Sequence, residues 1–528
     1  MRPPSPPYAR RAAVLLAAAL LSATLLLAGA CQPYEPAPVL TLKGMGGELR
    51  VLLPGEPKRL DPNSAGDELA LIVAPNLYNP LVAMDSDGRL LPDLARAWEV
   101  SDGGRTYTFH LREKVVWHDG KPFGSDDVRF TFEWLKTHPA LSQEAIRHIA
   151  RIETPDDLTA VVRLAEPWAP FLPTLAWNGG YMLPRHAPPG PDARPVGTGP
   201  FRFGSWQKGR RLVLEANRRF HRPGPFLDRV IYIPLPDSER AAQAIVRGEA
   251  DTTVTRVPYD RLPLLQRTSG VRVVTVSNSS RFYLAFNLTR PPFGDHRVRE
   301  AINRALDRSE IVRRSLFGYG APALGFYTPS VGWAYNGEAH VPPYDPGLAR
   351  TLLRAAGPPR PLREVELLII SLSPMTEMAR LIREDLDRVG LPVRIVEVPV
   401  TEWLERVIRS RDYDMTILAG MQGPDPENLR LRFGSASPTG PGAPGGIPGY
   451  ASRELDAALA AGAASVDLQQ RARAYFRVQS ILARDLPIAP IAEGVQATVF
   501  RSHVRGLAQA EGRGLVPAND YSLVRVRF

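Results

Sequence analysis

The sequence predicts an α/β protein, and three observations carry the prediction. Alternating, strand-like runs recur along the whole chain, as at Glu48–Leu53 and Thr106–Leu111. Helical stretches of about 10–15 residues are mixed among them throughout, which is the order of α/β folds. The 528-residue length is more than one hydrophobic core supports, so more than one core is expected.

The elements follow in order. Residues 32–46 are proline-rich with little pattern and read as a tether. A strand at Glu48–Leu53 precedes a helix over 68–83 that runs into a turn. Asp85-Ser86-Asp87-Gly88 and Asp102-Gly103-Gly104 are turn sequences between alternating runs, so a hairpin is expected at each. Asp85-x-Asp87-Gly88 has the opening of a calcium loop but lacks its distal Glu, which leaves the turn. Thr106–Leu111 alternates as a half-buried strand does. Ser125-Asp126-Asp127 opens a helix, with Ser125 expected as N-cap and acids in the first turn. Residues 187–200, rich in proline and glycine, read as a crossover between domains. Strands are expected at 212–215 and Arg229–Pro234, then a helix at Ser238–Arg247 stopped by Gly248. The pattern restarts with a strand at 282–287 and helices over 297–315, 346–356 and 374–389. Strands at 363–371, Val393–Val398 and 413–418 alternate with them. A proline- and glycine-rich loop covers 435–449, a long helix 467–484, and strands the tail. There is no internal repeat.

The N-terminus carries a different signal. Arg2, Arg10 and Arg11 form a basic region, residues 12–27 an apolar core, and Ala28-Gly29-Ala30 a run of small residues before Cys31. That order reads as an export signal over 1–30. A cysteine in that place looks like a bacterial lipoprotein box, with Ala28 standing where an aliphatic residue is usual. The alternative is an uncleaved anchor, since the run approaches the ~20 residues a bilayer requires. Both readings place residues 32–528 outside the cytoplasm, held to a membrane at one end. Cys31 is the chain's one cysteine, so no internal disulfide is available.

The net charge of +10 falls to about +7 once the three signal arginines are subtracted. The cations are scattered among acids rather than gathered into a stripe, which argues against nucleic acid. Catalytic templates fail in turn. There is no Gly-x-Ser-x-Gly elbow and no His-Glu-x-x-His pair, and the nine histidines are dispersed, so neither a hydrolase nor a directly bound metal such as nickel is supported. Gly204–Arg210 has phosphate-loop spacing but ends in Arg210-Arg211 instead of Lys-Ser/Thr, and Gly197-Thr198-Gly199 lacks the third glycine of a dinucleotide fingerprint. His118-Asp119 precedes Gly120 and reads as a turn. No cofactor is expected.

From Leu60 onward the blocks resemble one family almost position for position. They include Leu60-Asp61-Pro62, Leu77-Tyr78-Asn79-Pro80-Leu81, Pro92-Asp93-Leu94-Ala95 and Trp98-Glu99-Val100-Ser101-Asp102. Val116-Trp117-His118-Asp119-Gly120-Lys121-Pro122-Phe123, Gly197-Thr198-Gly199-Pro200-Phe201, Gly248-Glu249-Ala250-Asp251 and Tyr344-Asp345-Pro346 follow in order. The chain resembles the extracytoplasmic solute-binding proteins of peptide and nickel ABC importers (family 5). The resemblance implies a two-lobed periplasmic-binding-protein fold of class II, with a hairpin-rich subdomain inserted in lobe I. It places lobe I at 47–79, 191–276 and 489–528, the insertion at 80–190, lobe II at 277–488 and the lipidated tether at 31–46. It further implies a monomer without catalysis that closes over a peptide or related solute and feeds membrane permease subunits. A sensor of the same fold, signalling to a membrane partner, is the alternative. Most aromatic residues of the first block, Trp98, Trp117 and Phe123 among them, are expected in the core.

The same resemblance locates the ligand in lobe II. Glu402-Trp403 matches a tryptophan that precedes a Tyr-Asp strand entry, here Tyr413-Asp414. Gly420-Met421 stands where peptide binders carry Gly-Trp, and the aspartate that pairs with a peptide ammonium is missing from the shorter segment Gln422-Gly423-Pro424-Asp425-Pro426. Trp403, Gly420, Met421, Gln422, Asp425 and Tyr283 are the expected ligand contacts, with Asp425 replacing the missing acid if the loop shifts.

Overall fold

A computed structural model describes residues 46–526, apart from 64–66, 86–87, 139–142, 178–179, 191–193, 255, 358–362, 422, 424, 436–445 and 508–519. The signal, Cys31, the tether to residue 45 and Gln422 therefore lie outside the described residues.

The strands are, in chain order, β1 (Glu48–Leu53), β2 (Val82–Met84), β3 (Leu90–Pro92), β4 (Ala95–Ser101), β5 (Thr106–Leu111), β6 (Ile149–Asp156), β7 (Thr159–Leu164), β8 (Phe201–Gln207), β9 (Arg211–Ala216), β10 (Arg229–Pro234), β11 (Thr252–Thr253), β12 (Val271–Phe286), β13 (Gly320–Pro322), β14 (Val365–Ile370), β15 (Val393–Val398), β16 (Met415–Met421) and β17 (Ile488–Arg501). One eleven-stranded sheet runs in the order β15-β14-β16-β12-β17-β11-β1-β10-β9-β8, with β13 joined to β17 off that path. β1 pairs in parallel with both β10 and β11, so both its edges are satisfied, and its buried run Val51-Leu52-Leu53 is the continuous apolar sequence of a strand covered on both faces.

Two long antiparallel strands join the halves of this sheet. The first part of β12 pairs with the end of β17, which itself pairs with β11. The second part of β12 pairs with β16 on one side and with the start of β17 on the other. Between the two parts the register shifts: Ser277 faces Val495, and the next pair is Arg281 with Glu493. β12 thus spends extra residues against β17, which bends and twists a strand locally.

A separate antiparallel sheet, β4-β5-β7-β6, has its own core of Phe109, Trp117, Phe123, Val128, Phe132 and Trp168 beneath the helices Ser125–Thr137 and Phe171–Trp177. Beyond β12, helices His296–Ala305, Arg308–Ser315, Pro346–Ala355 and Met375–Val389 cover one sheet face through Val298, Ile311, Leu353 and Met378. Helices Arg453–Ala464 and Leu468–Asp485 cover the other through Leu455, Leu459, Tyr475 and Leu482.

Several local expectations change. The helix expected over 68–83 is Glu68–Leu77, and β2 begins at Val82. Ser125 is not the N-cap of its helix. Gly124 is, and its N–H donates to the Asp127 carboxylate at 3.1 Å. The Ser125 hydroxyl instead donates to the Asp156 carbonyl at 2.5 Å, because β6 passes beside the helix start. The single helix expected over 297–315 is two, interrupted at Leu306 and capped afresh by Asp307, whose carboxylate accepts from Glu310 N–H at 3.0 Å. The strand expected at 282–287 starts at Val271.

Candidate functional site

The strand β16 is positioned from its entry. Tyr413 is buried, and the Asp414 carboxylate accepts a two-pronged bond from Arg363 at 2.9 and 2.8 Å and another from Glu366 N–H at 3.0 Å. These contacts tie β16 to the start of β14. Along β16, Leu418 then lies opposite Tyr283 of β12, and Gly420 opposite Arg281. On the far side of β12, Glu493 of β17 faces the same Arg281. Gly420, Arg281 and Glu493 therefore form one row across three strands, at the register shift where the sheet halves meet. Cross-strand partners in a row share a face of the sheet.

The row is charged and largely dry. Arg281 is 2 % exposed, and its guanidinium donates to the Gly325 carbonyl at 2.6 Å and lies 3.5 Å from the Glu493 carboxylate. Burial lowers the Arg281 pKa, against the pull of Glu493. Burial likewise raises the Glu493 pKa, and the Arg281 charge opposes it. Tyr283, two positions along β12 on the same face, is buried, and the guanidinium of Arg432 stands 4.6 Å from its ring centroid. Arg432 makes no ion pair among the described residues.

The expected ligand contacts fall into two groups. Tyr283 and Gly420 belong to this row and its neighbour, and β16 ends at Met421. Trp403 and Asp425 stand behind it. Trp403 packs in the cluster that holds Tyr283, Tyr413 and Phe433, and its indole N–H donates to the Thr416 hydroxyl at 2.9 Å. That hydroxyl donates on to the Leu368 carbonyl at 2.7 Å. Asp425 gives both carboxylate oxygens to Arg471, at 2.9 and 2.8 Å. Burial works against the Arg471 charge, but Asp425 and Tyr475 outweigh it and hold its pKa above the ordinary value. Beside them Glu427 pairs with Arg430 and accepts from the Tyr475 hydroxyl at 2.9 Å. Asp425 is thus the hub of a buried network that fastens the segment after β16 to the helix Leu468–Asp485.

Arg281, Arg432 and Glu493 escaped the sequence reading. Their signal was present: Arg281 opens an apolar run ending at Phe286, and Glu493 is a lone acid in the apolar stretch 488–500. A charge in such a run either faces solvent or is paired, and the two cases look alike in sequence.

A long sheet built in two halves, crossed by two shared strands with a charged row at the crossing, defines a two-lobed solute-binding protein of the periplasmic type. A family profile described as bacterial extracellular solute-binding proteins, family 5 (middle part), matches residues 89–441. The chain belongs to this family of extracytoplasmic proteins that serve ABC importers. The chain is 30 % identical over 466 residues to di/tripeptide-binding protein 3 of Pseudomonas aeruginosa, covering 80 % of this chain and 85 % of that one. It is 27 % identical over 491 residues to the glutathione-binding protein of Salmonella typhi, covering 88 % and 91 %. Among solved structures, the transporter-associated protein DppA of Helicobacter pylori, in complex with peptide STSA, superposes with a TM-score of 0.77 at 26 % identity, over 92 % of this chain and 99 % of that chain.

Proposed function

We propose that this chain is a lipid-anchored, monomeric and non-catalytic receptor that binds a short peptide or peptide-like solute between its lobes and hands it to an ABC importer permease. The similarity to a di/tripeptide-binding protein over most of both chains carries the cargo class, and the peptide complex of the Helicobacter pylori relative supports it. That likeness favours transport over sensing. In this reading the lobes take the bounds expected from the sequence, with 277–488 as lobe II, and β12 and β17, the strands shared by the two halves of the sheet, act as the hinge.

The charged row supplies what a zwitterion needs. Glu493, which Arg281 approaches only to 3.5 Å, takes the ligand ammonium in place of Asp425, both of whose oxygens Arg471 already holds. Arg432, over Tyr283, takes the carboxylate. Gly420, Met421 and Gln422 line the ligand from the end of β16, while Trp403 and Asp425 support that edge from behind. Native mass spectrometry of the purified protein, followed by denaturation, tests the reading. Released peptides of two to four residues are expected, and a sugar or a metal chelate overturns it. Glu493→Gln should then weaken tripeptide binding by about tenfold or more, the scale for losing one partner of a desolvated charge pair.

A further inference from the structure

A cavity of about 480 Å³ opens on lobe I. Its walls come from residues 58–61, Tyr78, 183–184, 187–190, 194–196, 203–206 and Lys208, with no residue from 277–488. It is therefore distinct from the row at Gly420. Tyr78 and Leu183 at its floor are buried, and Phe203 and Trp206 form half-buried walls.

The cavity is preformed. The Lys58 and Arg59 N–H groups donate to the Asp67 carboxylate at 2.8 and 3.3 Å, and Asp67 also caps the helix Glu68–Leu77. The Trp206 indole N–H donates to Glu56 at 2.8 Å, and the Gly209 N–H donates to the same oxygen at 2.9 Å. The Lys208 ammonium lies 3.2 Å from the Trp206 ring centroid.

Among the described residues, four cations ring this space, Lys58, Arg59, Arg194 and Lys208, against one acid in the wall, Asp61. None of the four forms an ion pair among the described residues, although most arginines elsewhere in the molecule are paired. Like charges gathered around a low-dielectric wall repel one another and focus a positive potential into the cavity. An anion seated there relieves the repulsion, and the aromatic walls accept a flat or apolar body attached to it.

We propose that this lobe I cavity binds an organic oxyanion, a phosphate or carboxylate carried on an apolar body, separately from the transported solute. The source is either a soluble aryl or alkyl phosphate or the headgroup of an anionic phospholipid. Calorimetric titration of the full-length, detergent-purified protein tests it with phenyl phosphate, inorganic phosphate and monomeric dihexanoyl-phosphatidylglycerol. Phenyl phosphate should bind at least tenfold more tightly than inorganic phosphate. The double variant Arg59→Ala/Arg194→Ala should weaken it at least tenfold with tripeptide binding unchanged. Both arginines are exposed and make no ion pair among the described residues, so the variant should fold, and an unchanged Tm checks that. Binding of the phosphatidylglycerol, lost in the same variant, assigns the site to a lipid headgroup, and binding of phenyl phosphate alone assigns it to a soluble anion. No binding of either organic probe, binding that survives the double substitution, or equal affinity for inorganic phosphate overturns the proposal.

Discussion

Arg471 and Asp425 show what a buried side chain costs once its partner is removed. Both are nearly inaccessible, at 5 and 6 % exposure, and they meet through two bonds under 3 Å. Asp425→Ala would leave a buried guanidinium uncompensated, which is destabilising by about 3–5 kcal/mol. Urea unfolding should show that loss, and tripeptide affinity measured well below the transition should change little. The opposite result, normal stability with binding abolished, would return Asp425 to the ligand. His118 gives a pH dependence. Its Nε2 lies 3.1 Å from the Gly199 carbonyl, and its Nδ1 accepts the Gly197 N–H at 3.1 Å. That pattern admits only a neutral ring with the proton on Nε2. Burial pushes its pKa down to about 4, from 6.5. A depressed histidine contributes stability above the unfolded pKa and loses it as pH falls toward the folded one. The stability lost between pH 6.5 and 4 is about 3 kcal/mol. Comparing urea midpoints of wild type and His118→Gln across that range should show a shallower slope in the variant.

At the scale of elements, close approach decides what the loop 187–200 tolerates. A Cβ on Gly197 would stand 1.8 Å from the Leu77 carbonyl oxygen, and one on Gly199 would stand 2.5 Å from its carbon. The end of the helix Glu68–Leu77 is packed directly against this loop, so backbone rather than a flexible side chain would have to give. Gly197→Ala should cost about 3 kcal/mol or more, readable as a fall in Tm of several degrees. Elements with strong local signals were legible without the structure. β5 alternates, and the helix Ser238–Arg247 stops at Gly248, whose φ of +75° is the left-handed cap glycine allows. The first half of β12 was not legible. Ser277-Asn278-Ser279-Ser280 is turn chemistry in sequence, and in the fold it is the register shift between two paired stretches of one strand. β6 and β7 carry alternation interrupted by charges, and only the pairing of β7 with β5 and of β6 with β7 makes them strands.

For the molecule as a whole, the proposed anchor and the proposed hinge make separable predictions. Cys31→Ser should move the protein from the membrane pellet to the soluble extracytoplasmic fraction, and retention in the pellet would favour an uncleaved anchor. Two crossing strands with a register shift between them flex more readily than a continuous ladder, because few bonds cross the junction.

The sequence by itself determined the family, the α/β class and the positions of most strands. These follow from local patterns and ordered motifs that neighbouring residues set. Only the tertiary structure decided which charges meet. Asp425 finds Arg471 across 46 positions, and Arg281 finds Glu493 across the paired strands β12 and β17. Trp403 reaches Thr416 through the core. Burial and pairing depend on what the folded chain brings together over long separations, and residue spacing carries no record of it.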